Sequence, residues 1–188
     1  MAVQGEKMVR GLYGWEIEEF RPVFGDSLKY EQVRIHECTP WPDRIDRWGR
    51  RIKRMPPPDT NSHNAITLGN NCIFPVSLPR QLVSLGDPEF YKLDWLVHEL
   101  THAWQYQHMG WAYIMKALKA QFREKELAYD FGGEDGLKKS MQKNMSFNKF
   151  NPEQQGNITQ AYYVRLRTGK DTSAWDPFIE EMHKARFA

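Results

Sequence analysis

Two histidines four residues apart, with a glutamate directly after the first, are the part of this chain best suited to chemistry: His98-Glu99-Leu100-Thr101-His102. On an α-helix, residues at i and i+4 lie one turn apart on the same face, so the two imidazoles can share one metal ion. Glu99 is offset by one position, beside the open side of such a site. A hydrolytic zinc ion takes three protein ligands and keeps water in the fourth position. The metal lowers the pKa of that water, and a neighbouring carboxylate can take its proton and later deliver it to a leaving amine. His98 and His102 are therefore expected to ligate Zn2+, with Glu99 as the general base of peptide-bond hydrolysis. An isolated histidine is more often an ordinary core or surface residue. Here the pairing on one helix face, with a carboxylate between, carries the chemical reading.

A third ligand must come from elsewhere. His108 occupies the last position of the longer pattern His-Glu-x-x-His-x-x-Gly-x-x-His, but that pattern needs its glycine to break the helix and swing the third imidazole back. Gln105 stands at the glycine position, so the helix should run on to about Gly110 and leave His108 on another face. Glu153 lies 51 residues after His102 (153−102), in the first turn of a well-marked helix. A glutamate there can equally serve only the helix dipole. Glu124, Glu126, Asp130, Glu134 and Glu180 also lie downstream, and spacing alone leaves the choice open.

The elements that must position these groups can be read from periodicity. Leu93, Leu96, Val97, Leu100 and Trp104 recur at three and four, as the buried face of a helix that starts near Asp87-Pro88 and carries the histidines. A further helix is expected from Trp111 to Phe122. Asn151 suits an N-cap, Pro152 the first helical position and Gly169 the stop of the helix bearing Glu153. A last helix is expected from Pro177 to about Phe187, with Phe178, Ile179, Met182 and Phe187 on its apolar side. Upstream, Trp15 to Phe24 reads as a short helix, a turn follows over Asp26 to Glu31, and Gln32 to His36 reads as a strand. Ala65 to Leu68 and Cys72 to Val76 are β-prone runs joined by Gly69-Asn70-Asn71, a hairpin-like turn. Tyr129 to Asn148 has weak periodicity and is expected to be irregular, with room for one short helix. The expected fold class is α+β, mainly helical, with a small N-terminal sheet and the metal helix downstream.

The chain has 188 residues, enough for one domain to bury a core without disulfides, so residues 1–188 are expected to form a single domain with Cys38 and Cys72 as free thiols. Thr39 to Asn64 is the long-loop candidate: it holds Pro40, Pro42 and Pro56-Pro57-Pro58, which neither a helix interior nor a central strand accepts. Arg44, Arg47, Arg50, Arg51, Lys53 and Arg54 crowd there beside Trp41 and Trp48. Basic and aromatic residues together can bind nucleic acid, but a net charge of only +2 favours a solvated surface loop and no nucleic-acid partner. No apolar run reaches the roughly 18 residues of a membrane span, and the polar N-terminus lacks the apolar centre of a signal peptide. Synthesis in the cytoplasm without a signal peptide is the expectation.

Taken together, several segments resemble a bacterial zincin family of metallopeptidases found beside contractile injection systems. They are Val23-Phe24-Gly25-Asp26-Ser27 through Val33-Arg34-Ile35-His36, Ile66-Thr67-Leu68-Gly69-Asn70, Leu96 to Gln105, and Phe150-Asn151-Pro152-Glu153-Gln154-Gln155. A similar domain forms the toxic extension of some type VI secretion spike proteins. The resemblance covers about residues 12 to 170, and it implies a zincin-like fold in which Glu153 is the third ligand, as in gluzincins. It implies that Ile66, Thr67 and Leu68 line a cleft where a peptide or protein substrate pairs with a strand edge. In gluzincins an acidic residue four beyond the ligand Glu commonly bonds a metal histidine; Asn157 stands there, and an amide can still accept that bond. An acidic residue expected in relatives near Tyr162-Tyr163 is Ala161 here. The resemblance further implies delivery into a target cell as an antibacterial effector, with a carrier spike or an immunity protein as partners. The competing expectation is a non-catalytic adaptor or structural part of such an apparatus.

Overall fold

The computed structural model describes residues 6–40, 64–124 and 130–187, with 112–124 described as backbone. Most of the proline-rich basic loop, residues 41–63, therefore lies outside the described residues, as does any structural reading of its arginines. The described chain is α+β. Strand β1 (Met8–Arg10) leads into helix α1 (Gly14–Phe24), a 3-10 turn (Tyr30–Gln32) and strand β2 (Arg34–Glu37). Strands β3 (Ile66–Leu68) and β4 (Asn71–Ile73) follow, then the long helix α2 (Phe90–Glu124), α3 (Gly133–Gln142), a 3-10 turn (Phe147–Lys149), α4 (Pro152–Arg167) and α5 (Asp176–His183).

The sheet order is β1-β2-β4-β3. β3 and β4 form the expected antiparallel hairpin, with Thr67 opposite Cys72. β2 and β4 pair in parallel, with Ile35 opposite Cys72, so the connection between them has to cross over. β1 was not expected from the sequence. Three residues in a polar stretch carry no usable alternation, and the strand exists through its antiparallel pairing with β2.

Helix α2 follows the expected period. Leu93, Leu96, Val97, Leu100, Ala103 and Trp104 are all buried, packed with Ile35, Cys72 and Phe74 of the sheet side and Ile158 of α4. Gly110 breaks it with φ 66 and ψ 178, a conformation suited to glycine, and helix resumes beyond, as expected. Asn151 caps α4 through Oδ1, which accepts from the Gln154 N–H at 2.9 Å, while Gln154 Oε1 accepts from the Asn151 N–H at 3.1 Å. The irregular region yields α3 and a 3-10 turn.

The last helix departs from expectation, ending at His183 rather than near Phe187. The apolar periodicity of Phe178, Ile179 and Met182 is buried, but the chain then turns back so that Phe187 stacks on His108, with ring centroids 4.7 Å apart. A contact with another element, not helical propensity, decides that end. Cys38 and Cys72 are not joined in a disulfide, and no helix among the described residues is long and apolar enough to cross a membrane.

A buried ion network ties β1, α1, β2 and the segment after β4 together. Arg10 donates from Nε to Glu37 Oε1 at 2.6 Å and from Nη1 and Nη2 to the two Glu16 oxygens at 2.6 and 2.8 Å. Arg80 and the Leu78 N–H complete the shell of Glu37 at 3.0 and 3.1 Å. Glu16 also accepts from the Tyr13 N–H at 2.7 Å, closing the start of α1. Both carboxylates are fully buried. Removing one partner from a buried pair strands a charge, so Arg10→Ala should destabilise the fold by about 3 kcal/mol or more in urea unfolding. A loss below about 1 kcal/mol would show that the network is solvated and dispensable.

Candidate metal centre

Helices α2 and α4 cross so that His98, His102 and Glu153 bring one donor atom each within 4.8 Å of the others. His98 Nε2 lies 3.2 Å from His102 Nε2 and 3.2 Å from Glu153 Oε2, and His102 Nε2 lies 3.6 Å from Glu153 Oε1. Ligands bound at about 2.0–2.1 Å around a tetrahedral ion sit about 3.3 Å from one another, and the two 3.2 Å separations are close to that spacing, while His102 meets the other carboxylate oxygen of Glu153 at 3.6 Å. Two imidazoles and a carboxylate are also a borderline donor set that suits zinc.

Hydrogen bonding and charge couple Glu153 tightly to the two histidines. Burial acts to raise the Glu153 pKa, but the hydrogen bonds and charges of His102 and His98 outweigh it and hold the carboxyl well below the usual carboxylate range. Burial acts to lower the His102 pKa, yet Glu153, with smaller help from Glu99 and Gln105, pushes it up to about 9.

A chain of amides fixes how His102 is presented. The Gln155 side-chain nitrogen donates to the Phe147 and Phe150 carbonyls at 3.0 and 3.1 Å, so its oxygen must accept. That oxygen takes a bond from Gln105 Nε2 at 2.9 Å, which also donates to the Pro152 carbonyl at 3.0 Å. Gln105 Oε1 is thereby an acceptor, and it faces His102 Nδ1 at 2.9 Å. Carbonyls can only accept, so the polarity runs one way and Nδ1 must carry the hydrogen, leaving Nε2 to face His98 and Glu153. Gln105 and Gln155 are both fully buried, which such a satisfied relay permits.

Glu99 is nearly buried on the other side of the helix face, where Thr67 of β3 donates to its Oε2 at 2.6 Å. The same hydroxyl lies 3.2 Å from the Glu99 carbonyl oxygen, so β3 is hooked to the metal helix at this residue. Of the expected cleft residues, Ile66 and Leu68 flank Thr67 on the strand and are half-buried.

Gly156 sets the distance between the helices. A Cβ there would lie 2.7, 2.8 and 2.9 Å from Cε1, Nδ1 and Nε2 of His98, closer than packed atoms allow. Thr101 and Thr159, both fully buried, continue the same seam with hydroxyl oxygens 2.6 Å apart.

The other expected candidates fall elsewhere. His108 turns away from the cluster, with Nε2 2.6 Å from the Ser27 carbonyl and Nδ1 3.0 Å from that of Arg186. Asp130 bonds the Gly132 N–H, Glu134 pairs with Lys138 and Arg165, and Glu180 pairs with Lys184. Glu126 and the Glu124 side chain lie outside the described residues. His36 meets Asn71 and His183 the Val23 carbonyl, so neither joins the cluster. Asn157 is half-buried one turn along α4 from Glu153, and Gln105 is an amide bonded to His102. Sequence reasoning passed over Gln105, Gln155 and Gly156. The available signals were a glutamine one helical turn after His102 and a glycine in a helix interior, where it weakens the helix unless close packing requires it.

No protein-family model matches this chain, and neither does any curated protein or solved structure.

Two substitutions test the geometry. Gln105→Leu removes the acceptor from His102 Nδ1 and should weaken zinc affinity about 10- to 100-fold by competitive chelator titration. Unchanged affinity would mean that the relay does not orient the ligand. Gly156→Ala should push the helices apart, costing about 1–3 kcal/mol of stability and weakening zinc binding; a variant with native melting behaviour and native zinc affinity would refute the close-approach reading.

Proposed function

We propose that this chain is a zinc-dependent metallopeptidase in which His98, His102 and Glu153 hold the metal and Glu99 serves as general base. The observation that carries the reading is the gathering of the His98 and His102 Nε2 atoms, 3.2 Å apart, against the two Glu153 carboxylate oxygens at 3.2 and 3.6 Å, with a further acidic group, Glu99, outside the cluster. A zinc ion held there supplies the Lewis acidity that brings the pKa of a water toward neutrality and polarises a scissile carbonyl. Glu99 is oriented for proton transfer because Thr67 occupies Oε2 and leaves the other carboxylate oxygen to receive a proton and return it to the leaving amine. Gln105 keeps His102 in the ligating tautomer. Among the described residues the cluster has three members, which supports a catalytic site over a structural one closed by four protein ligands.

β3 supports a binding mode as well. It pairs with β4 on one side only among the described residues, so a substrate segment can add to its free edge, passing Ile66, Thr67 and Leu68 directly above Glu99. The zincin-like identity of the fold is part of the same proposal. So is action as an effector delivered by a contractile secretion apparatus with a carrier spike or immunity partner, which rests on motif resemblance.

The direct test is Glu99→Ala. The variant should retain one equivalent of zinc, because Glu99 is not a ligand, while peptide or protein cleavage falls by about 10²–10⁴-fold. Cleavage at the wild-type rate, or a purified wild-type protein unable to bind stoichiometric zinc, would sink the mechanism.

A further inference from the structure

A cavity of about 320 Å³ at the β3–β4 turn stands apart from the metal centre, for none of His98, Glu99, His102 or Glu153 lines it. One of its walls is aromatic. Gly69, at φ +63, brings its backbone against Tyr106 and Trp111, where a Cβ would meet the rings at 3.3–3.5 Å. The two rings stand edge to face with centroids 5.2 Å apart, which holds the Trp111 indole in place while leaving it 45% exposed. An indole fixed by its neighbours and open to solvent is an apolar platform ordered before any ligand arrives.

The other wall is built from side-chain amides whose directions are fixed. Gln107 Oε1 accepts from the Lys29 N–H at 2.8 Å and its Nε2 donates to the Lys29 carbonyl at 3.3 Å, so the main chain decides which end is which. Gln107 Nε2 also donates to Asn70 Oδ1 at 2.9 Å, and Asn70 Nδ2 in turn donates to Gln32 Oε1 at 3.4 Å. The series therefore ends on Gln32 Nε2, a donor that meets no acceptor among the described residues. The Tyr106 hydroxyl and the Trp111 indole N–H likewise have no hydrogen-bond partner among the described residues. The lining holds no acidic residue, and its one basic residue, Lys29, places its ammonium 4.1 Å from the centre of the Phe187 ring. Recognition there is left to neutral groups.

We propose that this cavity binds a neutral pyranose sugar. A charged ligand finds no counter-charge in it, and a purely apolar side chain would cover the Gln32, Tyr106 and Trp111 polar groups without giving them partners. A pyranose ring meets both demands. The hydrogens of one ring face pack on the indole, while the hydroxyls of its rim, each a donor and an acceptor, serve the amide, the phenol and the indole N–H. Trp111 is the platform, and Gln32 selects the orientation of a hydroxyl.

The test follows the Trp111 indole N–H and Gly69 amide signals of the full chain by NMR while methyl glycosides of glucose, galactose, mannose and N-acetylglucosamine are added. At least one should saturate both signals with a Kd of about 1–10 mM, the affinity expected of a single ring in an open cavity. Read on the Gly69 amide, Trp111→Ala should weaken that sugar about 10-fold or more, and Gln32→Ala about 3- to 10-fold through loss of one hydrogen bond. Gln32 is exposed, so its variant keeps the proposal under test if Trp111→Ala does not fold. No saturable shift with any of these glycosides below about 50 mM, an affinity unaltered by Gln32→Ala, or shifts that map away from Gly69 would overturn the assignment. So would tighter binding of acetyl-phenylalaninamide or of adenosine, which would mark a pocket for an aromatic side chain or for a stacked base instead.

Discussion

The close approach of α4 to α2 at Gly156 is the constraint on which the rest of the site depends. Only a residue without a Cβ lets the second helix pass against the His98 imidazole, and only at that distance does Glu153 reach both histidines. The Thr101–Thr159 hydroxyl pair and the Gln105–Gln155 amides lie along the same seam. Backbone close packing and the gathering of the three side chains are thus one problem with one solution, since moving the helices apart to admit a methyl would separate Glu153 from the histidines.

Burying so many polar groups between two helices is tolerable only because each is satisfied. The amide relay ends on main-chain carbonyls of the turn before α4, which cannot reverse their polarity, and this rigidity is transmitted to the His102 ring. Half-satisfied networks cost more than apolar packing, whereas complete ones define a single arrangement. On the opposite flank, Thr67 binds the Glu99 carboxylate to the sheet, so the proposed base and the proposed substrate edge belong to one rigid unit. The Arg10–Glu16–Glu37 network in turn anchors the β1–β2 side of that sheet to α1.

The sheet shows why short strands resist sequence reading. The hairpin of β3 and β4 announces itself through a Gly-Asn-Asn turn, but β1 spans three residues and gains its structure entirely from β2, a partner about 27 residues away. The end of α5 is similar, because Phe187 has the right spacing to continue a helix and is instead drawn onto the His108 ring.

By itself the sequence determined the local features: a helix with His98, Glu99 and His102 on adjoining faces, its break at Gly110, and a capped α4 with Glu153 in its first turn. Each is legible because helical period and capping act within a few residues. Only the tertiary structure decided which of several downstream acids meets the histidines, because that choice depends on how two helices separated by a long stretch of chain come together. It also decided that Gln105, read from the sequence chiefly as the residue standing where a glycine would break the helix, is the group that orients His102. A glutamine's role is set by the polarity of what it touches, and those partners are Gln155 and the carbonyl of Pro152, some fifty residues away.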